Sequence, residues 1–113
     1  MKTTISEKIK TDAMLRDSVE QATNLLDVVM GNPPNLAEAD WRFDVDFKGR
    51  PYLTLTVNDW GGETSTRFTP DELSKPYHLY SRLQTVYSNL LRNRTDRQLQ
   101  KLDQSIKEVV GEV

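Results

Sequence analysis

From Trp41 to Phe68 the chain alternates between apolar and polar residues, and the rest of the sequence is organised around that stretch. Trp41, Phe43, Val45 and Phe47 fall on one side of an extended segment, with Arg42, Asp44, Asp46 and Lys48 on the other. A second segment puts Leu53, Leu55 and Val57 on one face and Tyr52, Thr54, Thr56 and Asn58 on the opposite one. One oily and one wet face predict an antiparallel sheet covered on a single side. Directly opposed residues share a face, so Phe47 must oppose another odd-numbered residue and the first connection holds an odd number of residues. Three residues around Gly49-Arg50-Pro51 satisfy this, and Gly61-Gly62 suits a two-residue second turn. That turn predicts Leu55 opposite Phe68 and Val57 opposite Thr66, completing a three-stranded meander over 41–68.

Helical periodicity occupies the flanks. Leu15, Val19, Ala22, Leu26 and Val29 recur at spacings of four and three, which predicts a helix over 12–30 opened by Asp12 and stopped by Gly31 and the Asn-Pro-Pro-Asn that follows. Residues 1–11 either fray or extend that helix. The connection 32–40 has room for one helical turn at Leu36–Ala39. Thr69-Pro70-Asp71-Glu72 is a capping box with proline at the first helical position, predicting a short helix over 70–74 that Pro76 closes. A longer apolar face follows in Leu79, Tyr80, Leu83, Val86, Tyr87, Leu90 and Leu91. The last stripe, Leu99, Leu102, Ile106 and Val109, is offset from it. Thr95 with Gln98 forms another potential capping box, so a break near 93–95 is expected within 76–110, giving a helical hairpin.

The expected architecture is therefore α+β and a single domain over 1–113: an N-terminal helix, a three-stranded antiparallel β-meander, then C-terminal helices on one face of the sheet. Three strands about 4.8 Å apart shelter one helix, or two at most. Three substantial apolar stripes exceed that. The surplus calls for helix-on-helix packing or for another chain, and Leu99, Leu102, Ile106 and Val109 read as a homodimer seam.

Composition narrows the chemistry. The chain of 113 residues has no cysteine, which excludes disulfides and thiolate catalysis, and a reducing cytoplasmic setting is the simpler expectation. No apolar run suggests a leader or a membrane span. The net charge of −2 advertises neither an acidic nor a basic partner. Asp44 and Asp46, with Asp59 and Glu63 near the glycine turn, lack the spacing of a metal loop. His78, the only histidine, has no nucleophile partner at a recognisable spacing, and Gly61-Gly62 matches no phosphate loop. No catalytic, cofactor or metal residue is assigned. Arg92, Arg94, Arg97 and Lys101, with Arg82 earlier, form one basic cluster that a phosphate backbone could meet. Tyr52 and Trp60 are the aromatics placed on the wet face, where they could anchor an interface. The reading is a non-enzymatic protein-interaction or assembly domain, with a nucleic-acid accessory protein and a small-ligand sensor (its pocket between sheet and helices) as alternatives.

Overall fold

A computed structural model describes residues 1–31, 37–59 and 62–111, with side chains through residue 100. It is an α+β protein. In chain order the elements are β1 (Lys2–Ile5), α1 (Glu7–Thr11), α2 (Ala13–Val29), β2 (Glu38–Val45), β3 (Pro51–Asp59), β4 (Gly62–Phe68), α3 (Pro70–Leu73) and α4 (Pro76–Gly111). Among the described residues the sheet has four strands in the order β1-β2-β3-β4, and the helices cover one face of it.

The first departure from the sequence reading is β1. Residues 2–5 neither fray nor extend a helix; they pair in parallel with β2, Thr3 opposite Ala39 and Ile5 opposite Trp41. The expected three-stranded meander is thus a mixed four-stranded sheet. Lys-Thr-Thr-Ile has β-branched residues at three of its positions, which favours a strand, but four residues are too few for alternation to declare itself. The parallel pairing needs a crossover, and α1 with α2 supplies it. β2 also begins at Glu38, so the helical turn expected up to Ala39 is strand there.

Parity held while register shifted. Trp41 opposes Leu55 and Phe43 opposes Leu53, odd against odd, but β2 ends at Val45 opposite Pro51. The connection is therefore five residues rather than three, and Phe47 lies in it, 93% exposed. Asp46 explains the longer loop: its Oδ1 accepts from the backbone N–H of Lys48 and of Arg50, both at 2.9 Å, and its Oδ2 from Arg50 Nε at 3.0 Å. These N–H groups, the Arg50 one foremost, hold its carboxyl below the usual range against the opposing pull of desolvation.

The second hairpin is displaced by two residues. Leu53, not Leu55, faces Phe68, Leu55 faces Thr66, and Asp59 faces Gly62. Slipping by two preserves the faces, so Phe68 still enters the core. Gly62 belongs to the strand because α4 crosses it: a Cβ there would lie 2.8 Å from Arg94 Cβ and 3.0 Å from the Leu90 carbonyl.

The core is the sheet's oily face, Ala39, Trp41, Leu53, Leu55, Val57 and Phe68, closed by Val19, Ala22 and Leu26 of α2 and by Leu79, Leu83, Val86 and Leu90 of α4. Asp12 caps α2, accepting from the N–H groups of Met14 and Leu15. Both halves of the capping box at Thr69 are made. The break expected near 93–95, and with it the helical hairpin, is absent, because α4 is one helix of 36 residues. Thr95 does not cap; its hydroxyl donates to the Leu91 carbonyl at 2.9 Å, as a threonine inside a helix does.

Gly62→Ala should lower unfolding free energy by about 1–3 kcal/mol in urea titration, since overpacking here meets a helix backbone rather than a flexible side chain. An unchanged midpoint would show that the crossing relaxes freely.

Candidate interaction surfaces

The unbroken α4 has two stripes facing different ways. Leu79, Leu83, Val86 and Leu90 point at the sheet and are buried. Nine residues separate Leu90 from Leu99, and at about 100° per residue that is two and a half turns. Leu99 therefore faces half a turn away from the sheet. Leu99 is 57% exposed. Leu102, Ile106 and Val109 continue its register along the helix; their side chains lie outside the described residues.

Near its middle the helix is tied to the body by two polar contacts. Asn93 Nδ2 donates to the Glu63 carbonyl at 2.8 Å, and Arg94 NH1 lies 3.8 Å from Asp59 Oδ2. Residues 95–111 then add about 25 Å of helix, in a molecule whose longest extent is 62 Å.

The basic residues do not form one patch. Arg94 is half-buried and turned towards Asp59, whose Oδ1 has no hydrogen-bond partner among the described residues. Arg92 donates to Asn89 Oδ1 at 2.7 Å. Arg97 is exposed on α4, and the side chain of Lys101 lies outside the described residues. Arg82 is a structural tie: it pairs with Glu72, donates to the Arg67 carbonyl at 2.7 Å and lies 4.3 Å from the centre of the Phe68 ring.

The wet face of the sheet is uncovered, and its polar side chains pair with each other. Arg42 bonds Asp40 at 2.9 Å, and the hydroxyls of Thr56 and Ser65 lie 2.9 Å apart. Tyr52 lies under the Arg67 guanidinium, 4.5 Å from it, and its hydroxyl donates to Asp44 Oδ2 at 3.4 Å. Trp60 lies outside the described residues. Asp46, in the loop, does not share this face with Asp44 as expected. No cluster of three potential metal ligands occurs among the described residues, and His78 is exposed in the first turn of α4.

Two grooves flank the sheet. One of about 520 Å³ opens where Met14, Leu15, Phe43, Pro51 and Pro70 meet. Its carboxylates are already engaged, Asp12 as a cap and Asp71 with Lys75 at 3.0 Å. The other, about 370 Å³, runs between β1 and α2, with Thr3 and Ile5 on one wall and Arg16, Glu20, Asn24 and Asp27 on the other.

The two sheet edges differ. On β4, α4 covers the outward carbonyls of Glu63 and Arg67 with Asn93 and Arg82. On β1, Lys2 N–H donates to the Ala37 carbonyl and Ser6 N–H to that of Trp41, so even-numbered residues face β2. Thr3 and Ile5 accordingly turn their backbone groups outward. Sequence reading missed this edge entirely; the β-branched Thr3-Thr4-Ile5 run was the one signal that could have found it.

Compared with family models, curated proteins and solved structures, the chain matches none. Among the described residues no helix is long and apolar enough to cross a membrane.

The Glu72–Arg82 tie has a pH signature. Partial burial pushes the Glu72 carboxyl up, but the Thr69 N–H and hydroxyl and the Arg82 guanidinium together hold it below its ordinary value. A lowered folded-state pKa adds stability that is complete above the unfolded value, about 4.3, and is lost as pH falls through the folded one. Glu72→Gln should therefore be less stable than wild type at neutral pH. The gap should close on the acid side of the glutamate range in paired thermal melts; a gap independent of pH would contradict the assignment.

Proposed function

We propose that this protein is a small non-enzymatic interaction or assembly module that self-associates through the C-terminal part of α4, at Leu99, Leu102, Ile106 and Val109. One observation carries the reading. The stripe holding the exposed Leu99 faces half a turn away from the sheet on the same unbroken helix, so the body cannot cover it without breaking that helix. The 3-4-3 spacing is that of a two-stranded seam. A second copy is the occupant that fits, because the flanks carry both signs (Lys101, Asp103, Lys107, Glu108) and closed two-fold pairs dominate soluble oligomers. A cytoplasmic location belongs to the same reading, since a cysteine-free chain suits a reducing compartment.

The basic cluster supports the nucleic-acid alternative less well, because Arg94 is directed at Asp59 and Arg92 at Asn89.

Sedimentation equilibrium tests the proposal. Leu99→Asp should lower the weight-average mass at fixed concentration while leaving the circular dichroism spectrum unchanged, since Leu99 is 57% exposed. A mass indifferent to that substitution would overturn it.

A further inference from the structure

We infer a second self-association surface, independent of the α4 seam: the outer edge of β1, which pairs antiparallel with β1 of a second copy about a two-fold axis through Thr4, extending the sheet across both molecules.

Hydrogen-bonding capacity comes first. Because Lys2 and Ser6 donate inward to the carbonyls of Ala37 and Trp41, the N–H and C=O groups of Thr3 and Ile5 point away from the sheet. In the register with Thr4 on the axis, Thr3 meets the second copy's Ile5 and Ile5 meets its Thr3. Each is a hydrogen-bonded pair, so every outward group of the strand finds a partner. Thr4 then faces its own copy as a non-hydrogen-bonded pair, with Cα atoms about 4.5 Å apart. Among the described residues nothing stands in the way, since Lys2, Thr3 and Thr4 are all exposed. The opposite edge is less free, because Asn93 and Arg82 already occupy the outward carbonyls of Glu63 and Arg67 on β4.

The groove beside β1 identifies a second copy as the occupant. One wall is Thr3 and Ile5, centred on Thr4, and the other is the face of α2 from Arg16 to Asp27, centred between Gln21 and Ala22. Both walls line the same groove, and the proposed two-fold axis passes through the middle of each. Trp41 ties α2 above β2 through Thr23. From β2 to the second copy's β2 is three strand spacings, about 14 Å. Two helices at that distance do not interlock, since close packing needs about 8–10 Å, but long polar side chains can bridge them. The two-fold sets Arg16, which lies 3.8 Å from Asp17 of its own copy, opposite the second copy's Asp27, and Asp27 opposite its Arg16. The charges match twice by symmetry, as an isologous interface requires.

The test uses the full chain, which has no cysteine of its own. Thr4→Cys places one thiol at the axis, in the pair geometry that disulfides favour. With oxidised glutathione as the oxidant, it should cross-link at least ~10-fold faster than Asn58→Cys, an exposed control on β3, because the axis raises the effective thiol concentration. Adding Thr3→Pro to Thr4→Cys removes an outward N–H that the monomer does not use, and should return the rate to that of the control. Arg16→Asp should slow cross-linking, and Arg16→Asp with Asp27→Arg should restore it. The Leu99→Asp background should leave the Thr4→Cys rate unchanged, which separates failure of this surface from failure of the α4 seam. Equal rates for Thr4→Cys and Asn58→Cys, or a Thr4→Cys rate indifferent to Thr3→Pro, would overturn the proposal.

Discussion

The indole of Trp41 joins the sheet to the helical layer by packing and by hydrogen bonding together. Its ring is fully buried and lies 5.9 Å from that of Phe68, while its N–H donates to Thr23 Oγ1 at 3.0 Å. The Thr23 hydroxyl donates in turn to the Val19 carbonyl at 2.7 Å, so the indole N–H and the hydroxyl are both satisfied. A buried indole without a partner would cost the desolvation of its N–H, about 1–3 kcal/mol. The need to satisfy that group fixes the position of α2 over β2. The rest of the layer is arranged around that placement: α2 covers the β1–β2 side, and α4 takes the β3–β4 side.

The two halves of the layer leave the sheet with unequal edges. α4 runs close enough to β4 for its backbone to exclude any side chain at Gly62, and from there Asn93 and Arg82 reach the carbonyls of the edge strand. An edge with two of its outward carbonyls already taken offers less to another strand. α2, held further in by Trp41, leaves a groove beside β1 instead of a cover. The open edge is therefore a consequence of where one indole found its hydrogen bond.

α4 connects the folded body to the surface proposed for assembly. Its first half is committed to the core, and its second half continues in the same helix with Leu99 turned the other way. The change of direction costs no irregularity in the backbone; it comes from spacing alone. Thr95 and Asn93, polar residues that read as a breakpoint, sit inside the helix and send their side chains to the Leu91 and Glu63 carbonyls.

Much of this was legible in the residues themselves, and the physics divides cleanly. Alternation determined which face of each long strand is buried, because a side-chain period of two survives any even slip. The Asp12 cap and the Thr69 capping box were written locally, since each involves hydrogen bonds within four residues. The stripe at Leu99 to Val109 was legible as apolar and offset. Register was decided elsewhere: by Asp46 folding a five-residue loop, and by α4 pressing on Gly62. So was the role of β1, too short to show a period and defined only by its partner strand. The direction of Arg94 and the continuity of α4 also depended on neighbours distant in sequence. Local periodicity sets what a segment can bury; only contacts across the fold decide against what, and which edge is left open.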